Sequence, residues 1–224
     1  MDYSVLENST LFHGIKASEL RKILESVPHH IQVFDKGECI FHLMENADKI
    51  GVILDGRVEA QKLFPNGSQV NVTTKGAGEL TGPAAVFSKS HKYPCDIIAT
   101  EASTLMMFKK ENLLYLMQQD VRILENFTTA IASITYMLQQ RIELFSYKGI
   151  AQKVAFYLLV QKRKTGKNII PIPNSMTQWS MLMNVSRTSL HRELKRLEEE
   201  GILKYSSKEI RIVDDDKLQD LLSN

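Results

Sequence analysis

The sequence predicts an α+β chain with three parts: a β-roll of short strands, one long helix and a C-terminal winged helix-turn-helix. Three observations predict this order. Short alternating strands, separated by glycine and turn residues, fill residues 31–108. A heptad-like apolar stripe follows from residue 121, and two amphipathic helices with two short strands complete the chain. We place the domain boundaries at 1–118, 119–147 and 148–224.

The N-terminal part begins with a helical apolar pattern at residues 6–28 and continues with strands. Asn66-Gly67 predicts a tight hairpin between two of them, because both residues accept positive φ angles. So many short strands favour a barrel or a sandwich. The predicted strands are Ile31–Phe34, Glu38–His42, Lys49–Leu54, Arg57–Phe64, Ser68–Thr74, Asp96–Thr100 and Thr104–Lys109.

The central helix carries an apolar stripe over about three heptads, the length at which a coiled coil becomes a reasonable prediction. Because helix-turn-helix proteins usually bind two half-sites as two-fold dimers, we expect a homodimer. An amphipathic helix packed on its own domain is the alternative. Gly149 follows the helix and is the expected hinge. The predicted dimer contacts are Leu124, Phe127, Ile131, Ile134 and Leu138.

Residues 175–197 have the capping and turn signals of a helix-turn-helix. Ser175 and Gln178 form a capping box at the start of the first helix. Asn184 suits the sharp turn because asparagine tolerates the left-handed conformation. Ser186 caps a second helix, whose apolar stripe has i, i+4, i+7 spacing. The stripe consists of Leu190, Leu194 and Leu197.

The opposite face of the second helix is polar and basic, and residues 202–205 and 209–213 alternate like the two strands of a wing. Such a helix is expected to enter the major groove of double-stranded DNA. A helical hairpin with a solvated basic face is the alternative, but caps, turn and wing in this order favour DNA binding. The predicted DNA-binding residues are Ser186, Arg187, Thr188, His191, Arg192, Lys195 and Lys204. The basic loop 162–167 is either a phosphate contact or solvated.

Charge is divided unevenly along the chain. Residues 148–224 carry 14 Lys and Arg against 9 Asp and Glu, whereas residues 1–147 carry 14 against 17. The positive surplus therefore coincides with the predicted DNA-binding part, as attraction to phosphates requires.

The composition argues against several other classes of protein. Cys39 and Cys95 lie far apart in sequence without disulfide or ligand spacing, so we expect no metal and no cofactor. No Ser/His/Asp or paired-carboxylate constellation points to an enzyme. The N-terminal residues lack the pattern of a signal peptide, and no apolar run approaches about 18 residues. These features predict a cytoplasmic protein with no membrane partner.

Six segments of the sequence are similar to those of one protein family. They are KGECIF at 36–41, VILDGRV at 52–58, GELTG at 78–82, AAVF at 84–87, VSRTSLHREL at 185–194 and GIL at 201–203. In these segments the chain resembles the CRP/FNR family of bacterial transcription regulators. The resemblance implies a double-stranded β-roll of the cyclic-nucleotide-binding type, a dimerisation helix and a winged helix. It also implies a homodimer on a palindromic operator, and it leaves RNA polymerase open as a further partner.

The cyclic-nucleotide-binding branch of that family holds the ribose with a Gly-Glu pair and the cyclic phosphate with an Arg-Ser pair. The corresponding residues here are Gly82-Pro83 and Tyr93-Pro94. A buried phosphate needs a cation or several donors, and lysines on a flexible loop are poor substitutes for a bidentate arginine. We therefore expect an unidentified small-molecule effector other than cAMP. Its predicted contacts are Gly82, Pro83, Ala84, Ala85, Tyr93, Pro94, Thr128 and Ser133.

Other branches of the family fit less well. Two distant cysteines cannot supply the cluster that holds an iron–sulfur centre. Thiol redox sensing through Cys39 or Cys95 stays open, although buried small side chains are the plainer reading. Haem would need an axial ligand, for which the available histidines are His29, His30, His42 and His91.

The recognition helix also departs from the family pattern. Arg187 and Arg192 suit guanine O6 and N7, whereas Thr188 replaces the usual Glu that reads cytosine. The half-site is therefore expected to differ from the usual ones. Two hypotheses of function remain: a regulator controlled by an effector, or a constitutive DNA-binding regulator whose roll is only a structural and dimerisation scaffold. Activation and repression both stay open.

Overall fold

The computed structural model describes residues 4–63, 69–173, 175–206 and 208–223. The chain divides into two compact units, Met1–Ile134 and Thr135–Asn224. The boundary falls inside a 26-residue helix, Val121–Ser146. Each unit has its own hydrophobic core.

The first unit is built on short antiparallel strands. The strands among the described residues are β1 (His30–Phe34), β2 (Cys39–Phe41), β3 (Lys49–Asp55), β4 (Arg57–Leu63), β5 (Gln69–Gly76), β6 (Leu80–Thr81), β7 (Asp96–Ala99) and β8 (Ser103–Lys109). They form two four-stranded sheets with the orders β1-β8-β3-β6 and β2-β7-β4-β5. Consecutive strands such as β4 and β5 pair within one sheet, whereas β1 pairs with β8 from the other end of the unit. The predicted β-roll is confirmed.

Five helices among the described residues accompany the strands: α1 (Ser4–Glu7), α2 (Ala17–Glu25), α3 (Pro83–Phe87), α4 (Lys110–Gln119) and α5 (Val121–Ser146). The continuous helical pattern predicted for residues 6–28 is wrong, because the chain turns between α1 and α2. The buried Ser9 hydroxyl donates to Leu6 O at 2.7 Å and accepts from Phe12 N at 3.3 Å. Such side-chain bonds compete with the helical backbone pattern.

The short strand β6 was not predicted from the sequence. This strand has only two residues, which is too short for a periodic signal. The Asn66-Gly67 hairpin lies outside the described residues. The strands beside it pair antiparallel from Arg57 opposite Gly76 to Leu63 opposite Gln69.

The core of the first unit is formed by the strands together with the helical segments before and after them. Ile50, Ile53, Leu105 and Phe108 are fully buried, and each such side chain stabilises the fold by about 1.5–3 kcal/mol. The ring of Phe12 meets Phe108 edge-on at 6.2 Å. The first turns of α5 also belong to this core through Ile123, Phe127 and Ala130.

The second unit has the helices and strands of a winged helix. Its elements among the described residues are α6 (Ile150–Thr165), β9 (Ile169–Pro171), α7 (Met176–Leu182), α8 (Arg187–Glu199), β10 (Leu203–Tyr205), β11 (Glu209–Ile212) and α9 (Asp215–Ser223). The strands form one antiparallel sheet in the order β10-β11-β9. Trp179, Val154, Leu158 and Leu190 are fully buried in its core. The predicted wing is confirmed, with β9 as an additional third strand.

The long helix ends at Ser146, within one residue of the predicted end. Gly149 is the N-cap residue of α6, and its amide donates to Gln152 Oε1 at 2.9 Å. This bond fixes the start of α6 inside the second unit. The role of Gly149 as a hinge stays a prediction.

Candidate nucleic-acid and effector sites

The helix-turn-helix geometry follows from three local signals. Ser175 Oγ accepts from Gln178 N at 3.1 Å at the start of α7. Asn184 has φ 52°, the left-handed conformation that the turn requires. Ser186 Oγ accepts from Ser189 N at 3.0 Å and caps α8. These caps and the turn set the direction of α8 relative to α7.

The buried and exposed faces of α8 are sharply different. The predicted stripe Leu190, Leu194 and Leu197 is fully buried. Arg187, Arg192 and Lys195 are exposed, and none of them forms an ion pair with another described residue. By contrast, Arg196 binds Glu193 and Glu200, each at 2.6 Å. The uncompensated positive charge of the helix therefore lies on the predicted recognition face.

The remaining predicted residues of α8 have structural contacts as well. Thr188 Oγ1 lies 2.9 Å from Ser186 Oγ, within the cap of the helix. His191 is half-buried, and its ring meets the ring of Tyr205 edge-on at 5.7 Å. His191 therefore links α8 to the wing, a role that its place on the polar face did not indicate.

The wing presents a pair of cations. Lys204 on β10 lies directly opposite Arg211 on β11, and both side chains are exposed. Directly opposed residues of two strands point to the same face, and like charges there repel unless an anion lies between them. Sequence reasoning missed Arg211, although the strict alternation of β11 marks it as an outward residue.

The basic loop 162–167 is partly engaged by neighbouring side chains. Lys162 forms an ion pair with Asp215. Lys164 Nζ donates to Gln140 Oε1 at 3.0 Å and lies 6.0 Å from the centre of the Tyr136 ring. Arg163 and Lys167 are exposed. The predicted phosphate contact of this loop therefore rests on the last two residues.

A buried lysine supports the turn of the motif. Lys153 of α6 is only 9% exposed, and its Nζ donates to Met183 O at 3.1 Å. Met183 is the C-cap residue of α7, where backbone carbonyls lack helical partners and the helix dipole favours a cation. No local sequence pattern indicates this contact, because the two residues are thirty positions apart.

The apolar stripe of α5 divides into a buried and an exposed part. Phe127 is 6% exposed and Ile131 packs on the core of the first unit. Leu124, Leu138, Ile142 and Phe145 are 42%, 43%, 71% and 47% exposed. Ile134 is half-buried. Phe127 therefore does not lie on the exposed surface that a second chain would cover, whereas Ile142 and Phe145 extend that surface.

The residues corresponding to the family's effector cassette open the short helix α3. Gly82 has φ 82° and Pro83 is the first helical residue. Pro83 and Ala85 are buried, and Ala84 is exposed. A Cβ atom on Gly82 would lie 3.2–3.3 Å from Lys49 O, Phe41 and Tyr93. The cassette is therefore closely packed on its inner side.

Tyr93 and Pro94 lie in different environments. Tyr93 is 2% exposed, and its ring stacks on Phe41 at 4.3 Å. Its hydroxyl donates to Lys49 O at 2.6 Å, and burial raises its pKa well above the usual value. Pro94 is exposed. Tyr93 is thus a core residue whose hydroxyl group already donates a hydrogen bond to a backbone carbonyl.

The two predicted contributors from α5 are exposed. Thr128 Oγ1 donates within its own helix, to Leu124 O at 2.8 Å or Glu125 O at 3.0 Å, and Ser133 faces solvent. A contact between α3 and α5 runs instead through Phe87 and Phe127.

One group of possible metal ligands lies outside all predicted sites. Cys39, His42 and Asp96 each offer a ligand atom, and these atoms lie within 4.8 Å of one another. Cys39 and His42 have Cys-x2-His spacing, and the pairing of β2 with β7 brings Asp96 beside them. The absence of a metal stays a prediction.

Two family models match the chain: the cyclic nucleotide-binding domain at residues 31–120 and the Crp-like helix-turn-helix domain at residues 152–221. The chain belongs to the CRP/FNR family. Together with the fold, this family membership makes the protein a transcription regulator that contains a domain of the effector-binding type. Among the described residues, no helix is long and apolar enough to cross a membrane.

Similar proteins cover nearly the whole chain. "Probable transcriptional regulator flp" of Lacticaseibacillus casei is 22% identical over 212 residues, which is 90% of this chain and 91% of that protein. The cyclic AMP receptor protein of Thermus thermophilus is 22% identical over 199 residues, 89% of this chain and 90% of that protein. A structure of a CooA mutant from Carboxydothermus hydrogenoformans has a TM-score of 0.67 at 15% identity, covering 99% of this chain and 97% of the other. At this identity, the similarity to the CooA structure shows only that the two proteins share a fold.

Proposed function

We propose that the protein is a homodimeric, sequence-specific regulator that places α8 of each chain in the major groove of a palindromic operator. The observation that carries this proposal is the charge distribution on α8. Arg187, Arg192 and Lys195 are exposed and form no ion pair with another described residue, while Arg196 is neutralised by two glutamates. Cations left free on one face can replace the counterions of DNA phosphates and reach base edges.

The proposed contacts divide into two kinds. Arg187 and Arg192 read bases, because a guanidinium matches guanine O6 and N7 with two hydrogen bonds. Lys195, Lys204 and Arg211 hold phosphates, because their exposed charges lie on α8 and on the neighbouring wing. Ser186 and Thr188 keep the N-terminal end of α8 in place through the cap.

The exposed apolar residues of α5 support the homodimer. Leu138, Ile142 and Phe145 are spaced four and three residues apart, so they share one face of the helix. A contiguous apolar face of this kind in water marks a surface that another chain covers. A second copy of α5 would bury it in a coiled-coil arrangement.

We further propose that the effector is neither cAMP nor another cyclic nucleotide. Pro83 has no side-chain acceptor for a ribose hydroxyl, and the Tyr93 hydroxyl already donates to Lys49 O. Lys92, in the same loop, donates to Asn46 Oδ1 at 3.0 Å. A phosphate in this place would lack the paired cation that its burial requires. A neutral, partly apolar ligand fits this lining better.

The direct test is selection of bound sequences from a random duplex library by the full chain. The expected result is a two-fold symmetric motif whose half-sites are centred about one helical turn, or 10–10.5 base pairs, apart or a multiple of it. Sedimentation of the complex should give two chains per duplex. An asymmetric motif bound by one chain, or no enrichment, would contradict the proposal.

A constitutive regulator is the second candidate, favoured by the packing of Tyr93. Its ring fills the core against Phe41 and therefore stabilises the roll without any ligand. The distinguishing measurement compares the operator affinity of protein as purified with that of protein unfolded, dialysed and refolded. Unchanged affinity, with no small molecule released on unfolding, supports the constitutive candidate. A changed affinity restored by the released fraction supports effector control.

A further inference from the structure

The side chains of Cys39, His42 and Asp96 bring sulfur, nitrogen and oxygen ligands together on the first unit. Their ligand atoms all lie within 4.8 Å of one another. Cys39 begins β2 and His42 directly follows this strand, while Asp96 begins β7, which pairs with β2. The antiparallel pairing places Phe41 opposite Ile97, so Asp96 lies beside the residue that follows β2. The cluster is thus a product of the sheet rather than of one loop.

The strand β2 is irregular at this place. The register of its pairing with β7 shifts between Cys39 and Phe41. A bulge of this kind redirects a side chain that would otherwise point along the regular alternation of the sheet. Bulges are over-represented beside functional sites for this reason.

Hydrogen bonds hold the cluster and the turn after β2 in place. Asp96 Oδ1 accepts from Leu43 N at 2.8 Å, which fixes the carboxylate and leaves Oδ2 available. His42 N donates to Glu45 Oε2 at 3.1 Å. The first bond orients a ligand group directly, as is usual around protein metal sites, whereas the second fixes only the backbone at His42.

Exposure gives a cation access to the cluster. His42 is exposed, and Cys39 and Asp96 are half-buried. Burial raises the pKa of the Cys39 thiol, and the Asp96 carboxylate raises it further, whereas hydrogen bonding to the Ile97 backbone opposes both.

We propose that Cys39, His42 and Asp96 form a binding site for a divalent cation of borderline softness, such as Zn²⁺ or Co²⁺, with a fourth position open to water. Thiolate and imidazole select such metals over Ca²⁺ and Mg²⁺, which prefer oxygen ligands only. In a tetrahedral Zn²⁺ site with bonds of about 2.0–2.3 Å, the ligand atoms lie about 3.3–3.8 Å apart. The ligand atoms therefore need to approach one another by about 1 Å, which small side-chain rotations provide.

The bound cation would fasten the turn after β2 to the segment that leads into β7. Three backbone hydrogen bonds already join them: Met44 N donates to Tyr93 O at 2.9 Å, Tyr93 N donates to Glu45 O at 3.1 Å, and Ala47 N donates to His91 O at 3.0 Å. The segment includes Tyr93, whose ring would lie 3.3 Å from a Cβ atom on the cassette glycine Gly82. The site therefore lies next to the proposed effector region but does not depend on it.

Cobalt titration of the reduced, tag-free full chain tests the proposal. The expected result is one Co²⁺ per chain, with the strong visible bands of tetrahedral cobalt and a sulfur-to-cobalt charge-transfer band in the near ultraviolet. Zn²⁺ should bleach both and raise the melting temperature. No bands at about millimolar Co²⁺ would contradict the site.

Variants assign the ligands. Cys39→Ser should abolish the charge-transfer band, and His42→Gln and Asp96→Asn should weaken binding by more than about 100-fold, since even changes around metal ligands cost about 10- to 100-fold. His42 is exposed, so its substitution leaves the core unchanged. Cys95→Ser is the matched control and should keep the band. A band that survives Cys39→Ser, or disappears in Cys95→Ser with normal circular dichroism, would overturn the assignment.

Discussion

The rings of Phe87 and Phe127 lie 5.0 Å apart at an angle of 59°, within the first unit. Phe87 is the last residue of α3, whose first residues form the cassette, and Phe127 belongs to the second turn of α5. Lys110 Nζ lies 5.2 Å from the centre of the Phe87 ring. A ligand that shifted α3 would therefore press directly on α5. This contact is a physical route from the cassette to the proposed dimer helix, provided that the ligand binds one arrangement better than the other.

Arg187→Ala is expected to cost about 1–3 kcal/mol of operator binding and to relax the preference at one base pair in each half-site. Lys204→Ala should instead weaken all sequences about equally and reduce the salt slope by about 1, because it contacts phosphate. Fluorescence anisotropy with operator and mutated operator at several salt concentrations measures both effects. Arg196→Ala is the control, since that arginine is bound to two glutamates. Unchanged discrimination in Arg187→Ala would place the recognition face elsewhere.

Leu138→Glu is expected to give a monomer with an intact fold and a large loss of affinity for a palindromic site. Leu138 is 43% exposed in the single chain, and a second chain would bury the added carboxylate without a partner. Sedimentation velocity at about micromolar concentration measures the change. Thr129→Glu is the matched control, because nine residues along α5 place it on the opposite, exposed face.

Ile131→Glu would not test the dimer cleanly. Ile131 packs on the core of the first unit, so its substitution should also lower the free energy of unfolding. A wild-type chain that sediments as a monomer would contradict the proposed interface.

Asn184→Val is expected to lower the free energy of unfolding of the second unit by about 1–2 kcal/mol, since a branched side chain disfavours φ 52°. Asn184→Gly should stay within about 0.5 kcal/mol of the wild type, because glycine adopts this conformation freely. Urea denaturation of both variants measures the difference. Equal losses would show that the asparagine side chain, rather than its backbone angle, stabilises the turn.

Lys153→Met is expected to destabilise the second unit by about 1.5–3 kcal/mol, the range for hydrogen bonds to charged groups. Methionine keeps the apolar stem but leaves Met183 O without the donor that now lies 3.1 Å away. Urea denaturation measures the loss, and operator affinity should fall with it because Met183 directly precedes the turn at Asn184. Lys148→Met, at an exposed position, is the control. Equal stability of the two variants would contradict a role for the buried amine.

Local signals were readable from the sequence, and long-range contacts were not. The caps at Ser175 and Ser186 and the turn at Asn184 depend on neighbouring residues only, so the helix-turn-helix was predicted in register. The stripe of α5 was predicted correctly as apolar, but periodicity does not tell which partner covers each residue. Phe127 was therefore assigned to the dimer although it lies in the core of its own unit.

The same difference between local signals and long-range contacts decides which parts of the candidate sites could be predicted. The basic face of α8 could be read from spacing, whereas the contact of His191 with Tyr205 depends on how the wing folds back. The metal-ligand cluster depends on the pairing of β2 with β7, which joins residues more than fifty positions apart. Tyr93 looked like a pocket residue by resemblance, and only the packing against Phe41 shows it in the core.

Titration calorimetry with cAMP and cGMP is expected to show no binding below about millimolar concentration, where the affinity amounts to only about 4 kcal/mol. A cyclic phosphate needs a cation and free donors at the cassette. Here Pro83 lacks a backbone N–H, the Tyr93 hydroxyl donates to Lys49 O, and Lys92 donates to Asn46. Leaving the phosphate without its partner costs more than the remaining contacts supply. The refolded, ligand-free chain is the sample, so that a retained small molecule cannot block the site. Micromolar binding of either nucleotide would show that other groups supply the charge, and the role given to Pro83 and Tyr93 would be wrong.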